Sequence, residues 1–187
     1  MADAVALLAA GQSRRFGGDK LVADFRGGML GLHAGDTLGQ IAFAHRWVIV
    51  AGFDHACIPG WAAAGFDPIL NPDAAQGMGT SVALAGRLAH EAGADRLLIA
   101  LADMPLVPQS HFTALLGRAP DAQALVASSD GTAPMPPAVF GNAHFERLMQ
   151  ASGDSGARVL LVAADLVIAP QATLFDIDDE SALRRLG

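Results

Sequence analysis

Short apolar runs that alternate with longer amphipathic stretches constrain this chain more than any other feature. A run that is apolar on both faces must be covered on both, and parallel strands need crossover connections that usually fold as helices. Six runs read as strands, at 5–9, 47–51, 68–70, 96–101, 124–127 and 174–177. Six stretches between or after them carry helical spacing, at 30–44, 80–92, 108–116, 143–151, 156–164 and 180–186. The pattern predicts an α/β fold with a mostly parallel sheet and helices on both faces. Gly93, Gly117 and Gly153 follow three of the helices, where a left-handed C-cap favours glycine, and Pro108 opens another. With 187 residues the chain suits one domain spanning 1–187, and 52% hydrophobic residues are enough to build its core.

Composition excludes several function classes. The net charge is −7 with no basic run, which makes duplex nucleic acid a poor partner. A single cysteine, Cys57, permits no intramolecular disulfide and no thiolate zinc cluster, and fits a reducing cytoplasm. It sits in a short connection near Pro59 and Trp61, where a half-buried thiol is expected. The six histidines lack the spacing of a zinc motif. No apolar stretch reaches the ~18 residues that span a bilayer, and Asp3 stands where a secretory leader would be basic. The expectation is a soluble cytoplasmic protein with no membrane partner.

In an open parallel sheet, ligands bind outside the carboxyl ends of the strands, so the segments after each strand carry the information. After the first strand comes Leu8-Ala9-Ala10-Gly11-Gln12-Ser13-Arg14-Arg15-Phe16-Gly17-Gly18-Asp19-Lys20. Small residues let backbone N–H groups approach phosphate oxygens, yet the glycine spacing fits neither the dinucleotide fingerprint nor a Walker loop. Lys20 is the sole lysine among twelve Lys and Arg residues, which points to a need for a compact ammonium, as in phosphate contact. The plain alternative is a solvated surface loop.

Three further segments share this placement. The stretch 71–81 leads through Gly77 and Gly79 to Thr80 and Ser81, so a helix N-terminus faces the sheet edge, with or without a ligand. Asp103, after the most apolar strand, is placed to hold Mg²⁺, or else to cap a turn beside Pro105. In a strand, Asp176 and Asp178 would share one face and repel unless solvated or metal-bound. The same cluster equally suits the acidic first turn of the last helix.

Leu8-Ala9-Ala10-Gly11 with Arg15, Gly17 and Lys20 resembles the signature loop of MobA-like nucleotidyltransferases, L-A-[AG]-G-x-S-x-R-x-G-x-x-K. Asn71-Pro72-Asp73 through Gln76-Gly77 to Ser81, then Asp103-Met104-Pro105 and Asp176-Ile177-Asp178, resemble the later motifs of its molybdenum cofactor cytidylyltransferase branch. The resemblance implies a Rossmann-like three-layer sandwich that transfers CMP from CTP to a molybdopterin-type cofactor and releases pyrophosphate. It implies that Leu8, Ala9, Ala10 and Gly11 line the nucleotide site and that Arg15 and Lys20 hold the triphosphate. It also implies that Gly77 and Ser81 lie by the base, and that Asp103 and Asp178 bind Mg²⁺. A molybdenum hydroxylase or its maturation chaperone is the implied recipient. Ala10 in place of a second glycine favours CTP over GTP. The acceptor side departs from the family, since 132–140 lacks its Gly-His-Pro-like turn. Guanylyl transfer, a sugar phosphate or methylerythritol phosphate acceptor, and a non-catalytic cofactor carrier remain the alternatives.

Overall fold

The computed structural model describes residues 1–11, 16, 18–153, 158–170 and 172–186, with Arg158 described through its backbone alone. The first strand, β1 (Asp3–Leu8), shows why the rest of the sheet forms around it. Val5, Leu7 and Ala9 face one apolar cluster and Ala4, Ala6, Leu8 and Ala10 face another, all at 7% exposure or less. A strand so apolar on both faces belongs in the centre of a covered sheet.

Among the described residues the order of elements is β1, β2 (Asp24–Phe25), β3 (Gly28–Met29), α1 (Leu30–Gly39), β4 (His45–Val50), α2 (Ile58–Ala63), β5 (Asp67–Leu70) and α3 (Met78–Glu91). They continue with β6 (Arg96–Leu101), α4 (Gln109–Arg118), β7 (Leu125–Ser129), β8 (Pro134–Gly141), α5 (Phe145–Leu148), α6 (Arg158–Leu161), β9 (Asp165–Ile168) and α7 (Glu180–Leu186). Seven strands form one sheet in the order β5-β4-β1-β6-β8-β7-β9, while β2 and β3 make a small hairpin. Only β8 runs antiparallel to its sheet neighbours, β6 and β7. Helices α1, α2, α4 and α7 contribute to the cluster on one face, and α3, α5 and α6 to that on the other. This is the three-layer, Rossmann-like arrangement the sequence implied.

The structure departs from the sequence reading at several points. The expected strand at 174–177 is not a strand: it is anchored at the end of β6 by the Ile177 N–H donating to the Asp103 carbonyl at 3.0 Å, with Ile177 fully buried. Strand β8 is absent from the six expected strands, and its three prolines are unusual in a central strand. Its pairing with β6 begins only at Ala138, and the β7 register jumps from Ala127↔Ala138 to Ser128↔Met135, so Pro136 and Pro137 sit in an unpaired bulge. Strand β9 and helix α2 are short and fall where the sequence predicts connections; β9 lies at the sheet edge with Leu166 and Ile168 exposed. Cys57 is fully buried, and burial followed by the nearby Asp19 charge pushes its thiol up to about 11, which makes it inert. Gly117 falls inside α4, whereas Gly93 caps α3 with φ +63° and paired Gly93-to-His90 and Ala94-to-Ala89 bonds. Several helices are also shorter than expected, α1 ending at Gly39 and α5 covering 145–148. Residues 156 and 157 of the expected sixth helix lie outside the described residues.

Two features set up the site. The chain runs outward from β1 through β4 to β5, then returns through α3 to β6 on the other side of β1. A crevice therefore opens between the carboxyl ends of β1 and β6, the usual ligand position in such sheets. The start of α3 is held there by Gly79, whose N–H donates to the Gly153 carbonyl at 2.8 Å. A Cβ at Gly79 would lie 2.5 Å from the Ser152 carbonyl carbon, so glycine alone permits this approach. Gly79→Ala should destabilise the fold by about 1–3 kcal/mol through overpacking, measured by urea unfolding; an unchanged midpoint would show that the contact is dispensable.

Candidate active site

The crevice is a cleft of about 540 Å³ in which all four sequence-selected segments meet. Its floor is the end of β1. The Ala9 N–H donates to the Ile49 carbonyl at 2.9 Å and the Leu8 carbonyl accepts from the Ala102 N–H at 3.0 Å, so both neighbouring strands pin this backbone. Ala9 and Ala10 add little bulk, and a Cβ built on Gly11 would meet nothing within 4 Å. A ligand can thus approach the main chain closely.

Lys20 enters the cleft from a single 3₁₀ turn, Lys20–Val22. Asp19 caps that turn, its Oδ1 accepting the Leu21 N–H at 3.0 Å. The Lys20 Nζ lies 2.7 Å from Asp103 Oδ2 and 2.7 Å from Asp178 Oδ1, bridging two carboxylates that are far apart in the chain. Lys20 is only 8% exposed. Burial alone would lower its pKa, but Asp103 and then Asp178 outweigh that effect and hold the ammonium above its ordinary value.

Asp103 follows β6 and is fixed through its main chain by the bond from Ile177. One carboxylate oxygen engages Lys20, while the other, Oδ1, is buried with no hydrogen-bond partner among the described residues. A buried, unpartnered carboxylate oxygen is costly, and a cation would relieve it. Asp176 also lines the cleft. Its pKa is raised, first by desolvation between the cleft walls and then by the charges of Asp178 and Asp103. Among the described residues no three His, Cys, Asp or Glu side chains form a complete metal cage.

The opposite wall is the turn before α3. Asn71 is 3% exposed, and its Nδ2 donates to Thr80 Oγ1 and to Ser81 Oγ, both at 2.9 Å. Its Oδ1 accepts the Asp73 N–H at 3.0 Å, so this one side chain ties the loop to the helix start. Gly77, with φ +111°, makes the final turn into the helix.

Leu8, Ala9, Ala10, Gly11, Lys20, Gly77, Ser81, Asp103 and Asp178 are brought together around this cleft. Arg15 lies outside the described residues. The sequence reading weighed Asp176 only together with Asp178, as solvated or metal-bound, and gave Asn71 no role beyond its place in the resembled motif. Asp176 was legible as half of an Asp-x-Asp pair, but the structural role of Asn71 depends on a contact that spacing does not reveal.

Residues 5–168 match the family model of the MobA-like NTP transferase domain. Purine catabolism protein PucB of Bacillus subtilis (strain 168) is 34% identical over 167 residues, covering 85% of this chain and 80% of that protein. The crystal structure of Rv0371c from Mycobacterium tuberculosis H37Rv superposes with a TM-score of 0.83 at 21% identity, covering 100% of this chain and 97% of that one. CMP:2-keto-3-deoxy-manno-octonic acid synthetase complexed with CTP has the same fold, with a TM-score of 0.76 at 14% identity and coverage of 100% and 97%. With its strand order, its crevice and this match over most of its length, the chain belongs to the MobA-like NTP transferase domain family.

Proposed function

We propose that this protein transfers CMP from CTP to the terminal phosphate of a molybdopterin-type molybdenum cofactor, with Mg²⁺ as the metal and pyrophosphate as the second product. The observation that carries this reading is the Lys20 bridge between Asp103 and Asp178 at the switch-point crevice, beside Asp103 Oδ1, which has no hydrogen-bond partner among the described residues. A cytidine nucleotide is favoured by Ala10 in the resembled signature, and a structure of the same fold is complexed with CTP. The product would pass in the cytoplasm to a molybdenum hydroxylase or its maturation chaperone.

The chemistry asks little covalent work of the protein. An acceptor phosphate oxygen forms a bond to the α-phosphorus of CTP, the bond between the α-phosphorus and the bridging oxygen breaks, and pyrophosphate leaves with the electron pair. Catalysis then rests on alignment and on stabilising negative charge. Lys20 and Arg15 hold the triphosphate and offset charge on the departing pyrophosphate. The backbone at Ala9–Gly11 and the wall at Gly77 and Ser81 set the nucleoside in place. Asp103 and Asp178 would hold Mg²⁺, which when bound supplies Lewis-acid charge to phosphate oxygens.

Among the described residues three carboxylates, Asp103, Asp176 and Asp178, line the cleft with Lys20, and their excess negative charge favours entry of a cation with the nucleotide. Asp176→Asn should therefore raise the melting temperature of the ligand-free protein at pH 7. Because the folded pKa is raised, the gain is full above that value and fades as pH falls towards the ordinary carboxyl range; no gain at pH 7 would refute the electrostatic picture.

Thermal unfolding with Mg²⁺ and CTP, GTP, ATP or UTP tests the base. A ligand at about 100 times its Kd adds about 2.7 kcal/mol, and CTP should give the largest shift. A larger GTP shift would favour guanylyl transfer, and no shift with any nucleotide would favour a carrier. In a pyrophosphate-release assay with CTP and the molybdopterin cofactor, Asp103→Ala should abolish metal-dependent turnover and Lys20→Ala should also weaken triphosphate binding. Normal turnover by the Asp103 variant would refute its metal role.

A further inference from the structure

The residues on either side of Lys20 are both held by one short stretch of the loop after β4. On one side, His55 Nε2 lies 2.8 Å from Asp19 Oδ2. This is a close polar contact, not an in-line hydrogen bond. On the other side, the buried Cys57 thiol donates to the Leu21 carbonyl at 3.4 Å. The His55 ring is itself immobilised: Nδ1 accepts the Cys57 N–H at 3.1 Å, and the ring stacks on Trp61 with centroids 5.0 Å apart. Trp61 is fully buried and donates its indole N–H to the Gly31 carbonyl at 2.9 Å. An imidazole packed this firmly, yet aimed at a carboxylate that is 43% exposed, is more than core filling.

We propose that His55 is a positioning residue for Lys20, acting through Asp19; the inference rests on the reading that Lys20 holds the triphosphate. Asp19 is the immediate neighbour of Lys20, and its carboxylate has two oxygens. Oδ1 caps the turn by accepting the Leu21 N–H, and His55 restrains Oδ2. Released from the imidazole, the Asp19 carboxylate gains freedom to compete for the ammonium and to repel an incoming triphosphate. His55 thus keeps a negative charge that the turn needs for its cap away from the group that binds phosphate.

The test is a double-mutant cycle read by calorimetric titration with Mg²⁺ and inorganic tripolyphosphate, a probe that carries no base, with melting temperatures recorded for every variant. His55→Ala should weaken tripolyphosphate binding roughly twofold to fivefold, the size expected for one partly exposed polar contact to a carboxylate. His55→Gln, which keeps an N–H donor, should restore much of the loss. Asp19→Asn keeps a capping oxygen but removes the charge, so His55→Ala added to it should cost no further affinity. An equal loss in both backgrounds would mean that His55 acts only by packing on Trp61, and no loss in either would remove its role; both results overturn the proposal. CTP titrated alongside keeps the two readings separate: tripolyphosphate binding that responds to His55, in a protein that does not bind CTP, would refute the cytidylyl reading alone.

Discussion

The ammonium of Lys20, lodged between Asp103 and Asp178, joins three parts of the chain that the sheet alone would leave unconnected. Lys20 comes from the turn after the β1 loop, Asp103 from the end of β6, and Asp178 from the segment before α7. Asp103 would be expensive to leave in this crevice without a counter-charge, and the buried lysine would lose its proton more readily without the two carboxylates. The three groups stabilise one another, and the C-terminal segment is drawn over the sheet edge as a consequence. The bond from the Ile177 N–H to the Asp103 carbonyl and the burial of Ile177 secure it there.

That arrangement also explains why the cleft is poised for a charged ligand rather than an apolar one. The bridge leaves Asp103 Oδ1 without a hydrogen-bond partner among the described residues and Asp176 reluctant to ionise, so these groups hold electrostatic stress in the cleft. A triphosphate accompanied by a divalent cation brings both signs of charge: the cation answers the carboxylates and the phosphates answer Lys20. Strain of this kind at a binding site is a common exchange of stability for function.

Much of this was legible in the sequence because the parallel sheet imposes a simple rule. Strands buried on both faces are apolar throughout, and chemistry collects at their carboxyl ends. β1 and β6 were therefore readable as strands, and Lys20 and Asp103 stood out as polar residues after them. What was not legible depended on tertiary context. Pro136 and Pro137 hide β8, since a bulge that frees both residues from the ladder cannot be seen in composition. The segment at 174–177 has the alternation of a strand, yet its role is to cross the end of β6, where a lysine more than 150 residues away holds Asp178. Asn71 reads as an ordinary turn residue until its three hydrogen bonds are seen to tie the loop after β5 to the start of α3.

The most direct measurement of the central claim is a crystal structure with CTP and Mn²⁺, collected at a wavelength where manganese scatters anomalously. The account requires an anomalous peak beside Asp103 and Asp178, with the Lys20 ammonium engaged by the triphosphate. A metal bound elsewhere, or a triphosphate seated away from Lys20 while the ammonium still bridges both carboxylates, would contradict it.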